Sequence, residues 1–452
     1  MKKLKLFKTI LIPSLGVLTL GTIAAVATSC GGDKTPAIDV EKNVRITANA
    51  SSTLSFVHNY VGNFPDLQYS TDGGTSWNTY SEEISISQGQ TLLLKGNNPE
   101  GWSHSMSTYS YLSISGNVSI SGNVMGLLDN GATSWEEGDI TAIPCDYCFY
   151  DLFRNSTGIT SVSDDFLPAT VLKYNCYDGM FYKCISLIKS PDLPATSLAE
   201  NCYSNMFYGC SSLTAAPDLP ATTLAYGCYQ NMFYGCSSLT AAPDLPATNL
   251  AENCYSNMFS GCTSLTAAPD LPATTLADYC YQSMFSGCAS LTQAPELPAT
   301  TLAYCCYQNM FYGCSSLTNT IGTLPATVLA ERCYRNMFNG CSSLTAAPDL
   351  PATTLADYCY SYMFNGCSNL TTAPDLQATT LAGNCYSYMF LDCNSLTSIR
   401  IGFSGNYNKL YFDKWVNGVS SSGTFYYKGS DTLANFGFPT GEGTNWTINQ
   451  DW

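Results

Sequence analysis

Residues 228–253 read CYQNMFYGCSSLTAAPDLPATNLAEN, and nine copies of this block follow one another between Cys176 and Leu396. The first cysteine of each copy stands at Cys176, Cys202, Cys228, Cys254, Cys280, Cys306, Cys333, Cys359 and Cys385, a step of 26 residues apart from one of 27, and a second cysteine follows eight residues later, from Cys184 to Cys393. A fixed period of this length marks a solenoid, in which a unit cannot bury its apolar face alone and does so by stacking on its neighbours. Equivalent side chains then form rows along the array. Function is expected from such a surface rather than from one deep pocket.

Within one block, apolar residues fall at Leu224, Ala225, Cys228, Tyr229, Met232, Phe233 and Cys236. At about 100° per residue they occupy half of a helical wheel, which predicts a short amphipathic helix ending at Gly235 and its counterparts. Ser238-Leu239-Thr240-Ala241-Ala242 alternates as a strand does, until Pro243 and Pro246 remove ladder donors. The expected unit is a brief parallel strand, an extended Pro-containing bend and a helix.

That alternation resembles the leucine-rich repeat superfamily. More narrowly, M-F-x-G-C-x-S-L-T followed by L-P-A-T resembles the BspA-like leucine-rich repeats of bacterial surface proteins, over Cys145 to Ile399. Met-Phe in place of Ala-Phe and an added Cys-Tyr column depart from the usual pattern. The resemblance implies an α/β solenoid of leucine-rich-repeat type, with short parallel strands and short helices, and a role as an adhesin or ligand-binding surface protein.

The rest of the chain divides by composition. Residues 1–29 carry Lys2, Lys3, Lys5 and Lys8, an apolar run over 9–26, and Ala27-Thr28-Ser29 before Cys30, the pattern of an export signal. Small residues directly before a cysteine, then Gly31-Gly32-Asp33, resemble the lipobox of bacterial lipoproteins, which implies a diacylglyceryl group on Cys30, enough to hold a protein stably on a bilayer. The alternative is an uncut membrane-spanning anchor. In either case the bulk of the protein is expected outside the cytoplasm, on the extracellular face of the cell membrane. Residues 30–43 read as a tether. Residues 44–143 alternate in short segments such as Leu54-Ser55-Phe56-Val57 and Tyr111-Leu112-Ser113-Ile114, the pattern of a small antiparallel β module. Residues 144–400 hold the solenoid, opening on a degenerate repeat with Cys148, Phe149 and Phe153 as its N-terminal cap, and residues 401–452 are the opposite cap.

A net charge of −16 argues against nucleic acid as a partner and points to cationic ones. Fourteen acidic and four basic residues between Cys176 and Cys393 put −10 of it on the array. The residue after the internal proline is Asp192, Asp218, Asp244, Asp270, Glu296, Asp349 and Asp375, with Thr323 breaking the row in the long copy. Stacked about 5 Å apart, carboxylates repel by ~1 kcal/mol per neighbour in water. Two readings stand: a ladder that binds basic segments or Ca²⁺, or aspartates that each cap the following turn.

The eighteen array cysteines suggest a metal or disulfide system, yet eight residues along a helix separate a pair by about 12 Å, too far for one Zn²⁺ or one bridge. Buried cysteine as a small hydrophobe is the favoured reading, with inter-repeat disulfides left open by export. Cys145 and Cys148 form a C-x-x-C, and Cys305-Cys306 is a vicinal pair. Each copy's Tyr, from Tyr177 to Tyr386, is expected to bury its ring and keep its hydroxyl wet. The nine methionines in one column read as core.

Ser70-Thr71-Asp72-Gly73-Gly74-Thr75-Ser76-Trp77 resembles the Asp-box of sialidases; a single copy reads as a turn, with Gly73 and Gly74 supplying positive φ. Catalysis finds little support: the chain has two histidines, His58 and His104, and no nucleophile elbow, phosphate loop or H-E-x-x-H. A carboxylate pair for glycoside hydrolysis remains an alternative. The expected function is adhesion to a host or matrix protein or glycan; a structural or antigenically variable coat is the runner-up, favoured by 22 identities of 26 between the copies starting at Cys202 and Cys228.

Overall fold

The computed structural model describes residues 42–59, 64–128, 141–319, 322–403, 408–439 and 443–451. The export signal, Cys30 and most of the tether lie outside these residues.

The β module is built from β1 (Val44–Ala48), β2 (Ser52–His58), β3 (Gln68–Ser70), β4 (Asn78–Thr79), β5 (Ile84–Ile86), β6 (Thr91–Lys95), β7 (Ser110–Ser115) and β8 (Val118–Gly122). Period-two alternation turns Val44, Ile46 and Ala48 of β1 into the core. One sheet runs β5-β2-β7; the other runs β4-β3-β6-β1-β8 and continues into β9 (Ile159–Val162) of the degenerate repeat, which pairs with β8 in parallel. The exposed sheet edge at that end of the array is thereby covered by the module.

The α-helix expected over 224–236 is absent, and among the described residues no α-helix occurs from Cys176 to Cys393. The segment is instead a ribbon of consecutive turns with positive φ at every fourth residue: Gly227 (56°), Asn231 (53°) and Gly235 (72°) in this copy. Alternate N–H groups close turns within the coil, as in Met232 N to Tyr229 O at 3.2 Å and Tyr234 N to Asn231 O at 3.1 Å. The N–H groups between them reach the next coil, as in Tyr229 N to Cys254 O at 3.0 Å and Phe233 N to Met258 O at 2.9 Å. A helix would have satisfied all of these donors internally. The ribbon spends half of them on coil-to-coil bonds, which the Pro-interrupted strand segment supplies only sparsely, as in Thr318 N to Thr292 O at 3.2 Å.

The strand expected at 238–242 is likewise missing from the central copies, where isolated parallel bridges such as Gln293 to Asn319 and Asn249 to Thr275 mark the register. Regular parallel pairing returns where prolines thin out, in a four-stranded sheet of β10 (Thr372–Leu376), β11 (Ser398–Ile401), β12 (Ser422–Tyr426) and β13 (Asn445–Asn449).

The rows are continuous. The Tyr rings from Tyr177 to Tyr386 stack with centroids 5.7 to 6.0 Å apart, and the Phe rings from Phe181 to Phe390 do so at 5.5 to 5.8 Å. Phe149 lies over Tyr177 and Phe153 over Phe181 at one end; Phe412 and Trp415 lie against Tyr386 and Phe390 at the other. The Tyr row differs from expectation: its members are at most 2% exposed, and the hydroxyls of Tyr177, Tyr255 and Tyr307 are buried without a hydrogen-bond partner. The ribbon turns two adjacent positions inward in every four, so the Tyr points into the coil instead of lying at a helix edge.

Candidate functional site

Along each copy, the Asp-Leu-Pro-Ala segment alternates outward and inward. Leu193, Leu219, Leu245 and Leu271 are 2 to 3% exposed and anchor the segment in the core, so the preceding carboxylate must face solvent. Asp192, Asp218, Asp244, Asp270, Glu296, Asp349 and Asp375 are all exposed, on equivalent positions of successive coils. Asp164 of the degenerate repeat continues the row, with Asp192 N bonded to Asp164 O at 3.1 Å. Thr323 fills the gap in the long copy and its Oγ1 donates to Asp349 at 3.3 Å.

Basic side chains meet the row at its two ends. Lys189 pairs with Asp164 at 2.9 Å and Arg400 with Asp375 at 3.2 Å. Among the described residues no ion pair reaches the carboxylates from Asp192 to Asp349. Partial burial, then the neighbouring carboxylates Asp164 and Asp218, push the Asp192 carboxyl above its usual range. The turn-capping alternative predicts a bond onto each carboxylate from the turn that follows it; among the described residues the bonds onto these carboxylates come instead from neighbouring coils, from Thr323 to Asp349 and from Arg400 to Asp375. The arrangement is a linear anionic surface able to attract a cationic segment laid along several coils.

The cysteines are placed by the ribbon, and the described ones are free thiols. The first column is buried beside the Tyr row. In the second, each thiol donates to the Phe carbonyl of the preceding coil, as from Cys236 to Phe207 O, Cys262 to Phe233 O and Cys314 to Phe285 O, all at 3.1 Å. Burial pushes these thiols well up, Cys314 to about 12, which makes them poor nucleophiles. The Sγ–H is thus a coil-to-coil donor that a methyl group would lack.

Two surface features escaped sequence reasoning. Half-buried Tyr182, Tyr208 and Tyr234 stack at 4.8 and 4.6 Å, with the Arg154 guanidinium 4.4 Å over the first ring; the signal was a Tyr recurring six residues after the first cysteine. In the β module a cleft of about 610 Å³ is lined by Phe56, His58, Phe64, Asp66, Thr79 and Tyr80 among others. The Asp-box-like segment is a hairpin turn between β3 and β4: Asp72 accepts from Ser76 N at 2.9 Å and from the Ser76 and Ser70 hydroxyls, which hold its carboxyl at about 2.

The repeat is matched by a family model described as a BspA type leucine-rich repeat region, in six copies spanning residues 146–266, 207–345 and 280–412, over half of the chain. The chain belongs to the BspA-type leucine-rich repeat family. No curated protein matches it. Among solved structures, the crystal structure of a TLR13-ssRNA13 complex aligns with 68% of this chain at 14% identity and a TM-score of 0.21; the chain spans 52% of that one, and the likeness carries no argument about what the BspA-type array binds.

Proposed function

We propose that the chain is a lipid-anchored bacterial surface protein, held through Cys30 on the outer face of the cell membrane, whose BspA-type array adheres to a host or matrix protein or glycan. The row of exposed carboxylates from Asp192 to Asp375 carries this reading, because it offers a cationic partner a repeated charge that, among the described residues, meets neutralising side chains at its ends alone. The proposal assigns no catalysis to the chain, and it treats Ca²⁺ as a competitor for, or bridge on, the same row.

The test is attachment of the purified array to matrix proteins and glycans, with calorimetric titration of a Lys-rich peptide and of Ca²⁺. Saturable, salt-sensitive attachment weakened by the triple substitution Asp218→Asn, Asp244→Asn and Asp270→Asn supports it. Absence of heat from both titrants, with attachment unchanged in that variant, removes the carboxylate row from the reading. Absence of attachment altogether leaves the coat role that the near-identical copies at Cys202 and Cys228 favour. Product release from surface glycans or peptides would replace both with an enzyme.

A further inference from the structure

We propose that Cys145 and Cys148, alone among the described cysteines, form a reversible dithiol–disulfide pair that exchanges with low-molecular-weight disulfides at the seam between the β module and the first coil. The pair differs from every array cysteine in position and surroundings. Cys145 is half-exposed, whereas the other described cysteines are buried. Between the two stands Tyr147 at φ 56°, a left-handed residue that turns the chain tightly within the C-x-x-C. The Cys145 thiol in turn donates to Glu100 O at 3.0 Å. A point one bond from Gly101 Cα lies 2.6 Å from the Cys145 sulfur and 3.3 Å from Cys148 Cα, so both cysteines crowd one spot under the 98–103 loop. That loop is tied to the same coil by Trp102 N on Cys148 O at 2.8 Å.

The two sulfurs are unequal in the sense exchange requires. The Cys148 thiol, followed by Lys173 in a lesser role, holds Cys145 below the usual thiol range against partial burial and the Asp146 and Glu100 charges; burial pushes Cys148 well above it. The lower, accessible thiol forms the attacking thiolate and the buried one resolves. Cys145 loses its proton to solvent and attacks one sulfur of a disulfide RS–SR, giving a Cys145–SR mixed disulfide and one thiolate, which takes up a proton. Cys148 then loses its proton and attacks the Cys145 sulfur, forming the Cys145–Cys148 bond and releasing the second RS group as a thiol. The pair is oxidised by two electrons and RS–SR is reduced to two thiols. Closing the bond withdraws the donor from Glu100 O, so the 98–103 loop senses the redox state.

The test treats the full-length protein with oxidised glutathione, traps free thiols with N-ethylmaleimide after denaturation, and maps the products by mass spectrometry. Expected is loss of two hydrogens from the peptide holding Cys145 and Cys148, reversed by dithiothreitol, with the array cysteines all alkylated. Cys148→Ser should accumulate a glutathione adduct on Cys145, and Cys145→Ser should give at least about tenfold less adduct on Cys148. The wild-type readout does not depend on either variant folding. Recovery of both residues as thiols, bridges forming as readily within the array, or equal adduct on Cys148 in Cys145→Ser would each overturn the proposal.

Discussion

Replacing Asp178 by Asn should stabilise the fold, increasingly so as pH rises. Asp178 is 6% exposed, its carboxylate accepts Asn205 Nδ2 at 3.0 Å, and its backbone carbonyl binds Asp151 N. Burial, against the Asn205 bond and with the Asp151 charge adding to it, pushes the Asp178 carboxyl from 3.8 up to about 7. Below 3.8 both folded and unfolded chains hold the proton and nothing is lost. Between 3.8 and about 7 the unfolded chain releases a proton that the fold keeps, so stability falls as pH rises, and above 7 the loss is complete. That interval corresponds to a ceiling of ~4 kcal/mol, and local relaxation around a buried carboxylate brings the expected value nearer ~2 kcal/mol. The Asn amide oxygen still accepts from Asn205, so the substitution removes ionisation while keeping the bond. Urea unfolding of both proteins at pH 5, 6.5 and 8 reads the difference, in which the general charge repulsion of an acidic chain largely cancels. The stability gap should widen by ~1–3 kcal/mol from pH 5 to pH 8. A gap that stays constant or narrows refutes the assignment of a proton to Asp178 near neutrality.

Three further outcomes follow from the ribbon. Gly235→Ala meets open contact, Gly209 Cα at 3.8 Å, yet must hold φ 72°, so urea unfolding should show a loss of ~1–2 kcal/mol, with Asn231→Gly close to neutral. Cys262→Ala deletes a buried donor to Phe233 O and leaves a void, and should cost ~1–3 kcal/mol by the same measurement, with Cys262→Ser recovering part of it. Tyr255→Phe removes a buried hydroxyl that has no partner and should be neutral or stabilising by up to ~1 kcal/mol; a loss above that would reveal a bond to the hydroxyl.

The helix expectation failed for an identifiable reason. Cys228, Tyr229, Met232, Phe233 and Cys236 repeat with a period of four, and over nine residues a helical wheel drifts too little to tell that period from 3.6. The discriminating signal was on the other face: Asn or Gly at Gly227, Asn231 and Gly235, and at Asn253, Asn257 and Gly261, residues that tolerate positive φ where a helix would want none. The carboxylate row was legible because alternation beside a buried Leu needs no knowledge of the coil's path. The Tyr hydroxyls were misplaced because their exposure depends on that path.

Sequence alone determined that this protein is a stack of coils in register, since a strict period obliges like residues to meet like, and it located the acidic row and the cysteine, methionine and aromatic columns. Tertiary structure alone decided how a coil satisfies its backbone. An isolated segment of this pattern can close helical bonds within itself; once another coil lies alongside, half of its N–H groups find carbonyls there, and the prolines leave those bonds as the main ones available to join the copies. The same stacking set Cys145 apart from the buried cysteine columns, because it alone among the described cysteines is half-exposed, beneath a loop of the β module.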